Sequence, residues 1–145
     1  MKELIYKFVE NDRELNGVYN VRRQVFVEEQ GIAENLVFAG DEPGSEMNMV
    51  VMDGETVIGT GRVKLMPDNI AKIERMAVIK DFRNKGIGRG IIAFFIEQME
   101  CRGIKHIYLH AQHPVINFYK TCGFSESGSP FYEAGIKHIK MEKYY

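Results

Sequence analysis

The feature that most constrains this sequence is a glycine-containing turn between two apolar segments. The turn runs from Asp81 to Gly90 and reads DFRNKGIGRG; IERMAVI precedes it over residues 73–79, and an apolar run from Ile91 to Met99 follows it. The first apolar segment predicts a strand, and the second has the spacing of a largely buried helix. The chain must therefore pass from strand to helix through a turn where glycine relieves backbone crowding.

The same junction predicts an anion site. The first turn of a helix leaves backbone N–H groups without intrahelical acceptors, and the helix dipole is positive there. Glycines let a phosphate or pyrophosphate approach the backbone closely, although they could also serve only to pack the helix. Two common phosphate motifs do not fit. A P-loop needs Lys and then Ser or Thr after its last glycine, but Gly88 is followed by Arg89; the sixth place of a dinucleotide fingerprint, which needs glycine, is Ile91 or Ala93.

Two segments of this sequence, in this order, resemble the GNAT superfamily of N-acetyltransferases. Arg83-x-x-Gly86-x-Gly88, downstream of Met76-Ala77-Val78, is similar to the superfamily's acetyl-CoA-binding motif, and NFYKTCGF over residues 117–124 is similar to its FYxxxGF segment. The resemblance covers most of the chain and is weakest at the N-terminus and near residues 125–135. It implies that acetyl-CoA is held by Met76, Ala77, Val78, Arg83, Asn84, Lys85, Gly86, Ile87, Gly88, Arg89, Gly90 and Asn117.

The implied reaction transfers an acetyl group from the thioester of acetyl-CoA directly to a primary amine. By resemblance, Tyr119 is the general acid that protonates the CoA sulfur; packing beside Phe118 is its alternative role. The amine must lose a proton before it attacks. Glu74 is the first candidate for the base, since strand alternation predicts that it shares a face with Met76 and Val78, but it fits an ordinary paired carboxylate equally well. His110 is the second candidate, and some family members have no dedicated base.

The acceptor side is less constrained by the sequence. Asn11 or Asp12 can cap the start of an early helix. Glu28 and Glu29 end that helix in the segment VFVEEQ, which resembles one branch of small bacterial acetyltransferases. Either both are solvated residues at a helix end, or one of them faces the acceptor site and attracts a cationic amine. The polar segment 32–46 predicts a substrate-facing loop, with a short helix before it. Its residues Asp41 and Glu42 also favour a cationic acceptor, either a small molecule or a protein amine.

Length, charge and composition exclude several classes of protein. The 145 residues fit one domain, 1–145, and a net charge of −1 gives no reason to expect nucleic acid or an anionic membrane as partner. No apolar run approaches the roughly 20 residues that span a bilayer, and the N-terminus lacks a signal peptide pattern, so we expect a cytoplasmic protein. Cys101 and Cys122 are then reduced thiols. The four histidines show no metal-ligand spacing, so no metal is predicted.

The order of predicted elements is β-α-(α)-β-β-β-α-β-α-β-β, an α/β fold with a mixed, mainly antiparallel sheet flanked by helices. Strands at 70–79 and 106–111, joined by the long helix, should be parallel neighbours. Asp53-Gly54 predicts a hairpin, Gly59 and Gly61 predict a bulge or close contact, and residues 125–130 predict a loop. The resemblance implies that the parallel strands splay apart around the pantetheine arm. Members of the superfamily are often dimers, so the resemblance is compatible with a homodimer.

Three functions remain compatible with these residues. The first is an acetyl-CoA-dependent N-acetyltransferase. The second is a CoA-binding module without turnover, such as a sensor or a partner subunit. The third is an enzyme that uses a different acyl donor or an O-acyl acceptor.

Overall fold

The computed structural model describes residues 3–38 and 46–145, with only the backbone of Glu46. Its strands form one seven-stranded sheet in the order β1-β2-β3-β4-β5-β7-β6. Of the predicted substrate-facing loop over residues 32–46, residues 39–45, which include Asp41 and Glu42, lie outside this description. The elements are β1 (Ile5–Phe8), α1 (Asp12–Arg22), a π-helical segment (Arg23–Glu29), α2 (Glu34–Val37), β2 (Glu46–Asp53), β3 (Thr56–Met66), β4 (Ile70–Val78), α3 (Ile87–Cys101), β5 (His106–Gln112), α4 (Ile116–Thr121), β6 (Ser125–Glu133) and β7 (Ile136–Tyr144).

The predicted mixed sheet is confirmed. Strands β4 and β5 are parallel, and the other neighbouring pairs are antiparallel. Helix α3 covers one face, where its residues Ile91, Phe95 and Met99 are fully buried in the main core. Helix α1 and the π-helical segment cover β2, β3 and β4 on the opposite face through Val18, Val21 and other buried residues. Within the described part of the chain, no helix has the length and apolarity needed to cross a bilayer.

Helix α1 begins at a capping box. The side chain of Asn11 accepts a hydrogen bond from the Glu14 amide at 2.9 Å, and the Glu14 carboxylate accepts one from the Glu10 amide at 2.8 Å. The predicted helix therefore starts where the sequence indicated, but its last part widens into the π-helical segment rather than staying α-helical. Such widened turns are frequent at functional sites, because they redirect side chains.

Strand β4 contains a bulge that reverses its side-chain alternation. The register with β3 passes from Thr60↔Ala77 to Arg62↔Glu74, so β4 has one extra residue there, and Arg75 has φ of 55°. The prediction that Glu74 shares a face with Met76 and Val78 is therefore wrong. Glu74 lies on the α1 face together with Ala77, whereas Met76 and Val78 contact the core under α3. The predicted irregularity near Gly61 is confirmed by this register shift, and a Cβ at Gly61 would lie 2.8 Å from the Phe95 ring.

The parallel strands β4 and β5 diverge towards their carboxyl ends. Their pairing runs from Ile70↔His106 to Ile73↔Leu109, although β4 continues to Val78 and β5 to Gln112. The splay that the resemblance implied is thus present. We call the opening beyond Ile73 and Leu109 the fork.

The prediction of a loop over residues 125–130 is wrong. These residues belong to β6, which pairs with β7 at Ser125–Ser127 and again at Phe131–Glu133, with a register shift between the two stretches. Strand β6 is the outer strand of the sheet, so its side chains need no apolar alternation. Pro130 lies in the stretch between the two paired segments, where no ladder hydrogen bond is required of it. Serine, glycine and proline are typical of loops in sequence but are tolerated in such an edge strand.

Candidate active site

The glycine turn forms an open helix start. Helix α3 begins at Ile87, directly after Gly86, whose φ is 82°, and no side chain of the described residues caps this end. The first intrahelical bond of the turn joins the Gly90 amide to the Gly86 carbonyl at 3.0 Å. The amides of Ile87, Gly88 and Arg89 therefore belong to the uncapped first turn. A Cβ at Gly86 would lie more than 4 Å from every heavy atom in the part of the chain that the structure describes, so this side of the turn is open to a ligand there.

The basic residues of the turn already have partners within the protein. Arg83 donates through Nε to the Val78 carbonyl at 2.8 Å and pairs through Nη2 with the carboxylate of Glu29. Arg89 donates to the carbonyl and hydroxyl of Thr121 at 3.2 and 2.7 Å, which ties α3 to the end of α4. The Lys85 ammonium lies 5.3 Å from the centre of the Phe82 ring. Asn84, with φ of 62°, completes the turn before Gly86.

A cleft of about 570 Å³ occupies the fork. Strand β4 has no partner strand beyond Ile73 on this side within the described residues, so Met76, Ala77 and Val78 present backbone groups to the cleft. The cleft extends to Arg83 at the start of the glycine turn. Most of the other lining residues come from the π-helical segment, α2, β4, β5, α4, β6 and β7, and the rest come from the connections between elements: Val25, Phe26, Glu29, Gln30, Ile32, Leu36, Val37, Lys72, Ile73, Glu74, Arg75, Leu109, His110, Gln112, Val115, Phe118, Tyr119, Glu133, Ala134 and His138.

Tyr119 enters the cleft from α4. Its hydroxyl lies 3.9 Å from the Met76 sulfur, and its ring packs edge-on against Phe118 and Phe124. Burial, with a smaller contribution from Cys122, raises the pKa of Tyr119 to about 12. The phenol is therefore protonated throughout the physiological range and can act as a hydrogen-bond donor.

Glu74 is committed to cationic partners. Its Oε1 accepts from Nε and Nη2 of the buried Arg62 at 3.0 and 2.8 Å, and its Oε2 lies 3.4 Å from the Lys72 ammonium. Burial raises the pKa of Glu74, but Arg62, Lys72 and Arg75 outweigh this and hold the pKa below its ordinary value. A carboxylate in this state is a weak proton acceptor.

The remaining predicted site residues differ in whether they line the cleft. Glu29 and His110 line it, whereas Glu28 and Asn117 are exposed and are not among the lining residues. The sequence reasoning did not select Glu133 or His138, which lie beside His110. No spacing in the sequence predicts this grouping, because β5, β6 and β7 are brought together only by the sheet order.

Comparisons with known proteins agree with this arrangement. Residues 10–145 match the family described as acetyltransferase (GNAT) domain. The Bacillus subtilis protein named uncharacterized N-acetyltransferase YjcF is 37% identical over 145 residues, covering 99% of both chains. A provisionally assigned N-acetyltransferase from Lactobacillus plantarum has a TM-score of 0.91 at 25% identity, covering 99% of both chains. The PaiA N-acetyltransferase from Thermoplasma acidophilum, solved with coenzyme A, has a TM-score of 0.74 at 18% identity, covering 97% of this chain and 99% of that one.

The fold, the glycine turn and the family match define the class: this chain belongs to the GNAT acetyltransferase family. It is an acyltransferase, and acetyl-CoA is the acyl donor of that family. The uncapped first turn of α3 and the free space around Gly86 fit the phosphates of such a donor.

Proposed function

We propose that this protein is an N-acetyltransferase that moves the acetyl group of acetyl-CoA to a primary amine by direct attack of the amine on the thioester. The observation that carries the proposal is the continuity of one cleft. It extends from Arg83, beside the uncapped start of α3, through the fork, to a polar chamber lined by Glu74, His110 and Glu133. Tyr119 lies on the wall between the two ends.

The donor half of the cleft is formed by the glycine turn and β4. We propose that the amides of the first turn of α3 bind the pyrophosphate and that the free edge of β4 at Met76–Val78 binds the pantetheine arm. Asn84 and Gly86 shape the turn, while Lys85, Arg89 and Asn117 lie on the exposed side and are assigned to the outer part of the cofactor by the family resemblance. Acetyl-CoA supplies an activated acetyl group with a thiol leaving group.

Tyr119 is proposed as the general acid. Its hydroxyl lies near Met76, on the face of β4 directed towards α3 and α4. A phenol with a pKa raised to about 12 keeps its proton until a stronger base forms beside it. A departing thiolate receives a hydrogen bond from the phenol and then its proton, which stabilises the leaving group.

Glu74 is proposed to bind the amine rather than to deprotonate it. The carboxylate keeps its charge because of Arg62 and Lys72, and its oxygens have further lone pairs that can accept from an ammonium group. The acidic side chain of Glu133 adds to this attraction on the opposite wall. Together they favour a cationic acceptor over an anionic one.

Calorimetry and a thiol-release assay test this proposal. Acetyl-CoA should bind the purified protein, and at least one member of a panel of primary amines, including polyamines, amino sugars, aminoglycosides and peptides with free N-termini, should release stoichiometric CoA thiol with an N-acetylated product. Binding with no turnover on any amine would instead identify a CoA-binding module, and an O-acetylated product would change the acceptor class. Intact mass spectrometry of the enzyme with acetyl-CoA alone should show no acetyl-enzyme. The family resemblance also predicts a homodimer, which light scattering tests.

A further inference from the structure

His110 and Glu74 occupy equivalent positions on the two walls of the fork. The last parallel pair is Ile73↔Leu109, so each of them is the first residue of its strand beyond that pair. Both lie on the face opposite α3, because Leu109 and Ile73 are buried in the core beneath that helix and side chains alternate along each strand. His110 is partly exposed, with 26% of its side chain accessible, and lines the cleft.

The imidazole of His110 is held in a small cluster from three strands. Its Nδ1 is buried, makes no well-aligned hydrogen bond to any residue that the structure describes, and lies 3.5 Å from the Oε2 of Glu133 on β6. The Nε2 of His138 on β7 lies 3.8 Å from the same oxygen. The ring of Phe131 packs edge-on against His110 and stacks on His138, which fixes the planes of both imidazoles.

The chemistry of the partners selects the tautomers. The Nδ1 of His138 lies 2.7 Å from the Ile136 carbonyl, which only accepts, so this nitrogen carries a hydrogen. A carboxylate also only accepts, so Glu133 favours a hydrogen on the Nδ1 of His110. The Nε2 of His110 then keeps its lone pair. Glu133 itself stays ionised: its close contact with His110 lowers its pKa, burial opposes this, and the charges of His110, His138 and Lys72 lower the pKa further.

We propose that His110 takes the proton from the acceptor amine and that Glu133 is the positioning residue that orients its imidazole. This inference rests on the proposed function. Glu74, the equivalent residue on the other wall, is bound to Arg62 and Lys72. The ion-pair contact of His110 among the described residues involves its Nδ1 and leaves the Nε2 available. A base oriented by a carboxylate through its second nitrogen is a general way to fix the position and tautomer of a catalytic imidazole.

The proton balance of the reaction is complete with these groups. The ammonium N–H bond breaks, its proton moves to the Nε2 of His110, and the electron pair left on nitrogen attacks the thioester carbonyl. The C–S bond then breaks, and the thiolate takes the proton of Tyr119. The nitrogen loses a second proton as the amide forms, which restores the phenol. Of the two protons that the amine loses, one therefore ends on the CoA sulfur and the other leaves His110 for solvent.

Several other charged or titratable groups share the surroundings of His110 and contribute to any pH profile. They are Glu133 from β6, His138 and Lys140 from β7, Lys72 and Glu74 from β4, Tyr108 from β5 itself and Glu29 from the π-helical segment. The test must therefore compare variants across pH rather than rely on one profile.

The experiment measures kcat and kcat/KM from pH 5.5 to 9.5 with the best amine of the panel, together with acetyl-CoA affinity by calorimetry. His110→Gln should lower kcat at pH 7 by about 100-fold with unchanged acetyl-CoA affinity. The difference in kcat between wild type and His110→Gln should shrink as the pH approaches the pKa of the free amine, because the amine then loses its proton to solvent. Glu133→Gln should lower kcat by about 10-fold with the KM for the amine nearly unchanged, because the imidazole loses the carboxylate that orients it.

His106→Gln is the matched control. His106 lies on the same face of β5, four residues earlier, with its Nε2 3.0 Å from Glu142, and it is not among the residues that line the cleft. It should retain both rate and profile. A His110→Gln enzyme that keeps the kcat of the wild type across this pH range would overturn this inference and leave the proposed function standing. A wild-type protein that acetylates no amine would overturn both. If the variant folds poorly, the ring ¹⁵N chemical shifts of His110 in wild type and Glu133→Gln decide the pairing: an unchanged tautomer contradicts it.

Discussion

The guanidinium of Arg62 donates to the Oε1 of Glu74 through both Nε and Nη2, at 3.0 and 2.8 Å, across the β3–β4 pair. Arg62 is 1% exposed, so this contact joins a buried cation to the wall of the polar chamber in the cleft. The bulge at Arg75 is what places Glu74 on this face. The same pair therefore has a consequence for stability and one for catalysis.

Replacement of the Glu74 carboxylate should destabilise the fold. Glu74→Gln should lower the free energy of unfolding by about 2–3 kcal/mol, because it removes the negative charge next to a buried guanidinium. Urea unfolding of the protein without ligand measures this. Glu126→Gln is the control: it removes a carboxylate that pairs with Lys120 at 2.9 Å on the surface, and its effect should stay below about 1 kcal/mol. Equal effects of the two substitutions would contradict the structural role of Glu74.

The loss of unfolding free energy in Glu74→Gln should depend on pH. The pKa of Glu74 in the folded protein is below its ordinary value of 4.5, so the carboxylate contributes its full stability above that pH and loses it as the pH falls through the folded pKa. The difference in unfolding free energy between wild type and Glu74→Gln should therefore be constant from pH 6 to 8 and shrink below about pH 4.5. A difference that grows on acidification would contradict the lowered pKa.

Removal of the Tyr119 hydroxyl should affect turnover and leave binding of the donor almost unchanged. Tyr119→Phe keeps the edge-on ring contacts with Phe118 and Phe124 but removes the proton for the leaving thiol. We expect kcat to fall by about 100-fold, with the acetyl-CoA dissociation constant within about twofold of wild type. Because the pKa of Tyr119 is raised to about 12, ionisation of this phenol should produce no fall in the wild-type rate up to about pH 10. Tyr132→Phe, at a side chain that is 74% exposed, is the control.

A negative side chain in the glycine turn should abolish donor binding. Gly86→Glu adds bulk and charge where the phosphates are expected, and acetyl-CoA affinity measured by calorimetry should fall by at least about 100-fold, or about 2.7 kcal/mol. Gly103→Glu is a matched control, since Gly103 has φ of 76°, close to the 82° of Gly86, and also has no heavy atom within 4 Å of a Cβ. Both variants should lose about 1 kcal/mol of stability from backbone strain. Only a variant at the phosphate site should lose affinity.

The ion pair between Glu29 and Arg83 should compete with the donor. Arg83 lies in the glycine turn and forms an ion pair with Glu29 of the π-helical segment. A phosphate that binds Arg83 must therefore draw the guanidinium away from that carboxylate. Glu29→Gln should therefore bind acetyl-CoA about two- to fivefold more tightly at low salt, and the gain should decrease as salt screens the pair. Arg83→Gln should bind more weakly. Glu28→Gln, one residue earlier and exposed, should not change the affinity. Weaker binding by Glu29→Gln would show that the pair supports the donor site instead.

Local sequence signals predicted the glycine turn and the start of α1. Gly86 between an apolar strand and an apolar helix indicated the turn, because only a few residue types adopt without cost the positive φ of 82° found there. Asn11 indicated the start of α1, since its side chain can accept from an amide three residues on. These features depend on residues that are close in the chain, so they can be predicted from the sequence without knowledge of the fold.

Features that depend on a partner strand were predicted less well. Gly61 indicated an irregularity, but the face of Glu74 was predicted incorrectly, because nothing in the sequence showed that the extra residue lies in β4 and reverses its alternation. Strand β6 was mistaken for a loop, because its conformation comes from pairing with β7 rather than from its own composition.

The sequence by itself determined the order of the elements, the mixed sheet, the glycine turn and the position of Tyr119 in a segment similar to that of a known family. Only the tertiary structure decided that Glu74 is paired with Arg62 and that His110, Glu133 and His138, from three strands, share one wall of the cleft. The physical reason is range. Backbone conformation follows from steric and hydrogen-bonding preferences over a few residues, whereas the protonation and orientation of a side chain follow from charges that the fold brings within a few ångströms.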